Sequence, residues 1–275
     1  MPELPEVETI VRELKKVLIS RKIINVEIKE PLLIGFPGNS VQFKEGIVGQ
    51  KIINVSRRGK YIILVLSEEK RMIIHLRMSG KLLFKNSYDR YGKHTHIVFK
   101  LDNNKDLRFN TIRKFSRVYL IEDKCLENAG GFVNLGPEPL GDDFTLRDFK
   151  LLFKGRKAII KSLLLNQKFL AGLGNIYTDE ALFRAGIKPT RRADSLTDKE
   201  LSKLYKAIRK VLAEGIKYGG TTFSDYVNAM GQKGDFQGEL MVYQRGGEKC
   251  YNCGHKIIRE KICGRSTHYC PGCQQ

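Results

Sequence analysis

The sequence predicts an α+β fold in three successive parts: an N-terminal helix with a β-sandwich or barrel, an all-helical domain, and a small C-terminal hairpin carrying four cysteines. Three observations predict it. Apolar residues repeat at helical spacing from Pro5, strand-like runs fill the region from about 23 to 121, and helical periodicity takes over from Thr145 to about Lys217. A length of 275 residues suits about two domains, each with its own core.

The first helix is set by Val7, Ile10, Val11, Leu14, Val17 and Leu18, three and four residues apart, with Glu6 and Glu8 in a first turn where the helix dipole favours anions. Residues 1–4 therefore sit at a helix N-terminus. The runs IINVEI, KIINV, KYIILVL, RMIIHL, HIVFKL and RVYLI then read as strands between polar or Gly-containing turns. GFVNLGPEPLGDD (131–143), with three glycines and two prolines, marks a linker. Helical segments follow at about 145–154, 158–170, 175–185 and 197–217, and the Gly-rich stretch 219–238 reads as a mobile loop. The expected divisions are 1–130, 131–143, 144–236 and 237–275.

Composition excludes whole classes. With 41% hydrophobic and 29% charged residues the chain is neither disordered nor fibrous. No run approaches the ~18 apolar residues of a membrane span, and MPELPEVE is acidic where a signal peptide is basic and then apolar, so a cytoplasmic location is expected. Against 30 Asp and Glu stand 49 Lys and Arg, a net charge of +19, which points to a polyanionic partner such as nucleic acid.

Cys250, Cys253, Cys270 and Cys273 form two C-x2-C pairs separated by sixteen residues. Each pair can turn two sulfurs toward one tetrahedral Zn²⁺, and the intervening stretch is long enough for a hairpin. Four thiolates leave no position for water, so the expected cofactor is one structural zinc, supplying most of the module's folding free energy. His255 and His268 duplicate ligands already present and are expected on the surface, and Cys125 and Cys263 as free thiols. Arg259, Lys261 and Arg265 make the hairpin a candidate DNA clamp.

The N-terminus is the most unusual feature. Cells generally remove an initiator Met before Pro, which leaves Pro2 with a free secondary amine. An α-amino group titrates near ~7.7–8.0, so a useful fraction is an unprotonated nucleophile at neutral pH, able to attack a sugar C1′ and form a Schiff base. Glu3 and Glu6 are carboxylates able to move a proton there. Taken alone, Pro-Glu near a helix start is more often a cap. In AGLGNIYTDEAL, Gly172 and Gly174 form a tight turn with Asn175 at a helix N-terminus, where backbone N–H groups and the Asn amide can grip a phosphate.

MPELPEVETI, RRGKYI at 57–62, HLRMSG at 75–80, LGPEPL at 135–140, AGLGNIYTDEALFRAGI at 171–187, GGTT at 219–222 and the four-cysteine finger together resemble the bacterial formamidopyrimidine-DNA glycosylases. The resemblance runs over essentially the whole chain with every motif in order. It implies monomeric, bifunctional base-excision repair enzymes acting on double-stranded DNA that contains an oxidised purine, built as a β-sandwich with a leading helix, a helix-two-turn-helix domain and a zinc finger. It also implies abasic-site lyase activity.

Residue by residue, the resemblance makes Pro2 the Schiff-base nucleophile, Glu3 the acid/base that opens the deoxyribose, Lys60 a lesion-binding proton donor in β-elimination, and Arg265 the phosphate-holding arginine assigned to δ-elimination. Met78, Arg113 and Phe115 occupy the positions that fill the hole left by a flipped base. His75, His94, Lys157 and Lys161 occupy DNA-contact positions, although each lysine alone reads as part of a solvated helix face. The stretch 221–237, with Thr221, Thr222 and Tyr226, corresponds to the loop that covers the extruded base. The chain departs from the family in having Thr111 and Ser116 where Asp and Gly are usual, which bears on loop geometry and opposite-base preference. Two rivals stand beside this reading: an endonuclease VIII-like enzyme for oxidised pyrimidines, against which Leu4 and Arg113-Lys114-Phe115 argue, and a non-enzymatic zinc-finger damage binder.

Overall fold

Helix α1 (Leu4–Leu18) forms where the periodicity places it and buries Leu4, Val7, Ile10, Val11, Leu14 and Leu18 along one side, with Lys15 and Lys16 in the last turn, where the dipole favours cations. The computed structural model describes residues 1–275, which divide into two units, Met1–Val133 with Tyr218–Asp235 and Asn134–Lys217 with Phe236–Gln275.

In the first unit two sheets share one core. One has the order β2 (Ile34–Phe36), β9 (Arg117–Glu122), β5 (Lys70–His75), β4 (Tyr61–Leu66), β3 (Ile52–Arg58); the other has β1 (Ile23–Ile28), β7 (Thr95–Leu101), β8 (Lys105–Asn110), β6 (Lys81–Asn86). All pairs are antiparallel except β2 with β9. Leu14 of α1, Ile62 and Leu64 of β4, Phe99 of β7 and Phe109 of β8 belong to one buried cluster, each worth about 1.5–3 kcal/mol of transfer free energy. That is the expected sandwich. The short helix α2 (Ser40–Ile47), begun by Asn39 accepting from Val41 N–H at 2.8 Å, adds Phe43 to the cluster.

Besides residues 29–33, which lead from β1 to β2, two connections cross between the sheets: Leu76–Gly80 leads from β5 to β6, and Thr111–Ser116 leads from β8 back to β9. Because β5 pairs with β9 and β6 with β8, the two crossovers run side by side. They carry Met78 and Arg113.

The segment 218–235, expected to hang as a mobile loop on the helical domain, clusters instead with the first unit. Glu13 of α1 accepts from Asn228 Nδ2 at 2.5 Å and from Ala229 N–H at 2.9 Å, and Ala229 O accepts from Phe84 N–H. Its outer residues Phe223 and Ser224 are exposed.

In the second unit α3 (Leu146–Phe153) is capped reciprocally by Thr145 and Asp148. The segment expected at 158–170 is helical only over α4 (Ile160–Leu165). Side chains compete with the helix there: Asn166 Oδ1 accepts from Lys168 N–H, while Gln167 binds Gly172 N–H and Leu173 O. α5 (Asn175–Ala185) stops at Gly186, whose φ of +73° is the left-handed cap glycine favours. α6 (Asp198–Lys217) packs on α5, and Gly215 is required at their contact, since a Cβ there would lie 2.6 Å from the Tyr177 ring. Strands β10 (Ile258–Ile262) and β11 (Arg265–Tyr269) form the expected hairpin, closed by Cys263 and Gly264 with φ of 49° and 76°, as a two-residue turn demands.

Candidate active site and nucleic-acid interface

Pro2, Glu3 and Glu6, the residues for which the sequence suggests chemistry, lie at the start of α1. Pro2 and Glu3 are buried, and Glu3 is the N-cap. Glu6, three residues on, returns its Oε2 to Glu3 N–H at 2.7 Å. Its Oε1 accepts from Thr221 N–H at 2.8 Å, so Glu6, read from sequence as a possible proton carrier, is a clamp between helix and loop. Tyr226 Oη completes the clamp by donating toward Gly219 O and Glu6 O. Gly220 has φ +84° and would bring a Cβ to 2.8 Å from Glu6 Cγ, so the GG of GGTT is there for close approach.

Arg57 ties the next piece to the same helix. Its Nε donates to Glu8 at 2.9 Å and its Nη1 to Gly59 O at 3.0 Å, fixing the β3–β4 turn that presents Lys60. Lys60 is 4% exposed, beneath the surface rather than on a solvated strand edge. Burial, then the charges of Arg77 and Lys60, hold His75 down to about 3, so its ring is neutral. His75 Nδ1 accepts from Arg77 N–H at 3.0 Å, which leaves Nε2 as the N–H donor.

Met78 is 47% and Phe115 61% exposed, apolar side chains with solvent around them, and Arg113 Nη1 lies 3.4 Å from Met78 Sδ. The crossovers thus bring the three expected wedge residues to one edge of the sandwich. His94 is half-buried and binds the second crossover through its carbonyl, which accepts from Thr111 N–H; the ring that reaches Thr111 O is that of His96.

In the second unit Arg265 and Lys157 are exposed, as a phosphate contact needs. Asn175 begins α5 but gives one amide N–H to Ser266 O at 2.7 Å, joining the helix N-terminus to β11. Two expectations require correction. Lys161 is fully buried, its Nζ 2.5 Å from Asp179 and 2.7 Å from Thr267 Oγ1, so its charge is paired inside the protein and does not stand on a solvated helix face. His268 is buried rather than on the surface, because its backbone N–H donates to Asp179 Oδ2 at 2.9 Å and its ring packs edge-on against Tyr243. His255 is exposed as expected.

Sequence reasoning missed Asp179 and Glu180. Both are buried on α5; Asp179 holds β11 and Glu180 accepts from the successive N–H groups of Met241, Val242 and Tyr243 at 2.9–3.1 Å. Two acidic residues set in the otherwise apolar run IYTDEALF were the available signal.

The four Sγ atoms of Cys250, Cys253, Cys270 and Cys273 lie within 4.8 Å of one another, with separations of 3.8 Å for 250–273 and 3.3 Å for 253–270 and 253–273. A thiolate tetrahedron at ~2.3 Å from zinc has edges of about 3.8 Å, so the donor set fits one structural zinc.

The sequence models of the formamidopyrimidine-DNA glycosylase N-terminal domain, the formamidopyrimidine-DNA glycosylase H2TH domain, and the zinc finger found in FPG and IleRS match residues 1–118, 135–227 and 247–275. Formamidopyrimidine-DNA glycosylases of Pelotomaculum thermopropionicum and Heliobacterium modesticaldum are each 47% identical to this chain, over its whole length and over 99% and 100% of their own. The chain belongs to the formamidopyrimidine-DNA glycosylase family. Among solved structures of formamidopyrimidine-DNA glycosylases, a point mutant of the Lactococcus lactis enzyme in complex with Fapy-dG DNA matches with a TM-score of 0.93 at 38% identity, both chains covered in full. The Lactococcus lactis enzyme with abasic-site DNA matches with 0.92 over 99% of each chain, and the wild-type enzyme with oxidised-pyrimidine DNA also with 0.92 over both chains in full, each at 38% identity. No helix is long and apolar enough to cross a membrane.

Proposed function

We propose that this chain is a base-excision repair glycosylase with abasic-site lyase activity on duplex DNA bearing oxidised purines, and that Pro2 is its nucleophile. The observation that carries the reading is the buried Pro2–Glu3 pair at the start of α1, held by the Glu6 clamp beside the turn presenting Lys60. Once Met1 is cleaved, the Pro2 secondary amine attacks C1′ of the extruded nucleotide, and the N–C1′ bond forms as the bond to the base breaks. The departing base takes up a proton. Glu3 protonates the ring oxygen, opening the sugar to an iminium; loss of a C2′ proton then expels the 3′ phosphate, and a second elimination, with Arg265 holding the phosphate, expels the 5′ one. Water hydrolyses the iminium and returns the amine. A chain that retains Met1 has an amide nitrogen at Pro2 and can do none of this.

Met78, Arg113 and Phe115 enter the duplex in place of the base, while Lys157, Asn175 and Arg265 hold phosphates and His75 and His94 line the DNA path. Such an enzyme works wherever the chromosome is. Oxidised pyrimidines are the second reading, supported by the structural neighbour bound to oxidised-pyrimidine DNA.

Borohydride trapping on a duplex with 8-oxoguanine opposite cytosine tests the mechanism, using processed protein, Pro2→Gly and a form retaining Met1. A covalent adduct only where residue 2 has a free amine is expected. Tight binding without adduct or cleavage moves the reading to a damage binder, and faster excision of thymine glycol moves it to the pyrimidine branch.

A further inference from the structure

We propose that the hydroxyls of Ser79, Thr111 and Ser116 lock the two sheet crossovers together, so that Met78 and the Arg113–Phe115 loop enter DNA as one wedge, with Thr111 and Ser116 as positioning residues. The proposal rests on the reading of this chain as a base-extruding glycosylase.

All three hydroxyl residues are buried, at 5%, 1% and 1% exposure, directly behind side chains that are exposed. Ser79 Oγ and Thr111 Oγ1 lie 3.2 Å apart, and Ser116 Oγ is 3.4 Å from Thr111 Oγ1. Each end of this chain of hydroxyls grips the opposite crossover: Ser116 Oγ donates to Leu76 O at 2.7 Å, and Ser79 Oγ accepts from Arg113 N–H at 3.0 Å. The backbone of Thr111 is already satisfied by His94 O and the His96 ring, so its hydroxyl is left for the lock.

The crossovers also leave no slack. A Cβ at Gly80 would sit 2.4 Å from Leu76 O and 2.7 Å from Ser116 Oγ. Arg77 and Lys114, at φ 52° and 54°, put one unfavourable left-handed residue into each crossover, conformations that persist only when their surroundings hold them. A wedge whose two halves move independently loses the orientation of Arg113 toward the widowed base each time Met78 shifts.

The test uses full-length processed protein as wild type, Thr111→Val, which keeps the shape and removes the hydroxyl, and Thr111→Ser, which restores it. Single-turnover excision from an 8-oxoguanine duplex is compared with cleavage of a single-stranded oligonucleotide carrying a preformed abasic site, where no hole needs filling. Expected for Thr111→Val is about a tenfold loss of the saturating duplex excision rate with the half-saturating concentration little changed, unaltered single-strand cleavage, and recovery in Thr111→Ser. Equal losses on both substrates, or no loss on duplex, overturn the lock. A wild type that neither excises nor cleaves overturns the underlying reading, and the lock with it.

Discussion

The carboxylate of Glu6 accepts the backbone N–H of Thr221 at 2.8 Å while also accepting that of Glu3 at 2.7 Å, so one side chain caps the first helix and fastens a loop 215 residues further along. The beginning of the chain is therefore held in place by a part of the sequence remote from it.

Glu6→Ala leaves two buried backbone N–H groups without this acceptor and is expected to lower the unfolding free energy by about 1–3 kcal/mol. Glu6→Gln, which keeps one acceptor oxygen, is expected to lose less. Denaturant titration of the three proteins ranks them, and an unchanged midpoint in Glu6→Ala refutes the clamp.

Gly220→Ala is expected to reduce kcat/KM for excision without altering zinc content, since φ +84° and the contact with Glu6 both oppose a Cβ. Metal analysis beside steady-state kinetics separates this local effect from misfolding.

His75 has a pKa depressed to about 3 against an ordinary value near 6.5. Between these pH values the unfolded chain binds a proton that the folded chain does not. The stability it contributes is thus present above pH ~6.5 and lost as pH falls, with a slope of up to about 1.4 kcal/mol per pH unit. Stability against pH for wild type and His75→Asn should show the slope diminished in the variant, and the imidazole resonances of His75 should not titrate above pH ~5.

Lys157 and Lys161 are expected to behave oppositely in DNA binding. Lys157→Ala should reduce the slope of log K against log salt by about 0.9, the signature of one lost phosphate contact. Lys161→Met should leave that slope unchanged and instead destabilise the fold by about 3–5 kcal/mol, because it strands Asp179 without its buried partner.

One zinc per chain should be released by chelation, with loss of the β10–β11 hairpin and of DNA affinity. Cys250→Ser should prevent retention of the metal. Cys263→Ser, at the exposed hairpin turn, should not.

Much of this was legible in the sequence because it depends on local rules. The α1 stripe, the α5 boundaries at Asn175 and Gly186, and the C-x2-C pairs need only periodicity, a cap and ligand spacing. The strands β6 and β8 were not among the runs singled out, since KLLFKN and KDLRFN mix charge with few apolar residues and are specified by pairing with each other. Lys161 misled for the same reason: its environment is set by Asp179 and Thr267, 18 and 106 residues away. The resemblance supplied candidate roles for Pro2, Lys60 and Arg265 that no spacing could, while the clamp on Glu6 and the hydroxyl lock became visible only in three dimensions.

Because the first unit is assembled from residues 1–133 and 218–235, it is not finished when its first strands are made. On the ribosome the Pro2 end emerges first, and some 215 residues pass before Thr221 arrives to meet Glu6. A polypeptide that ends before Thr221 therefore has the start of α1 without the loop that fastens it.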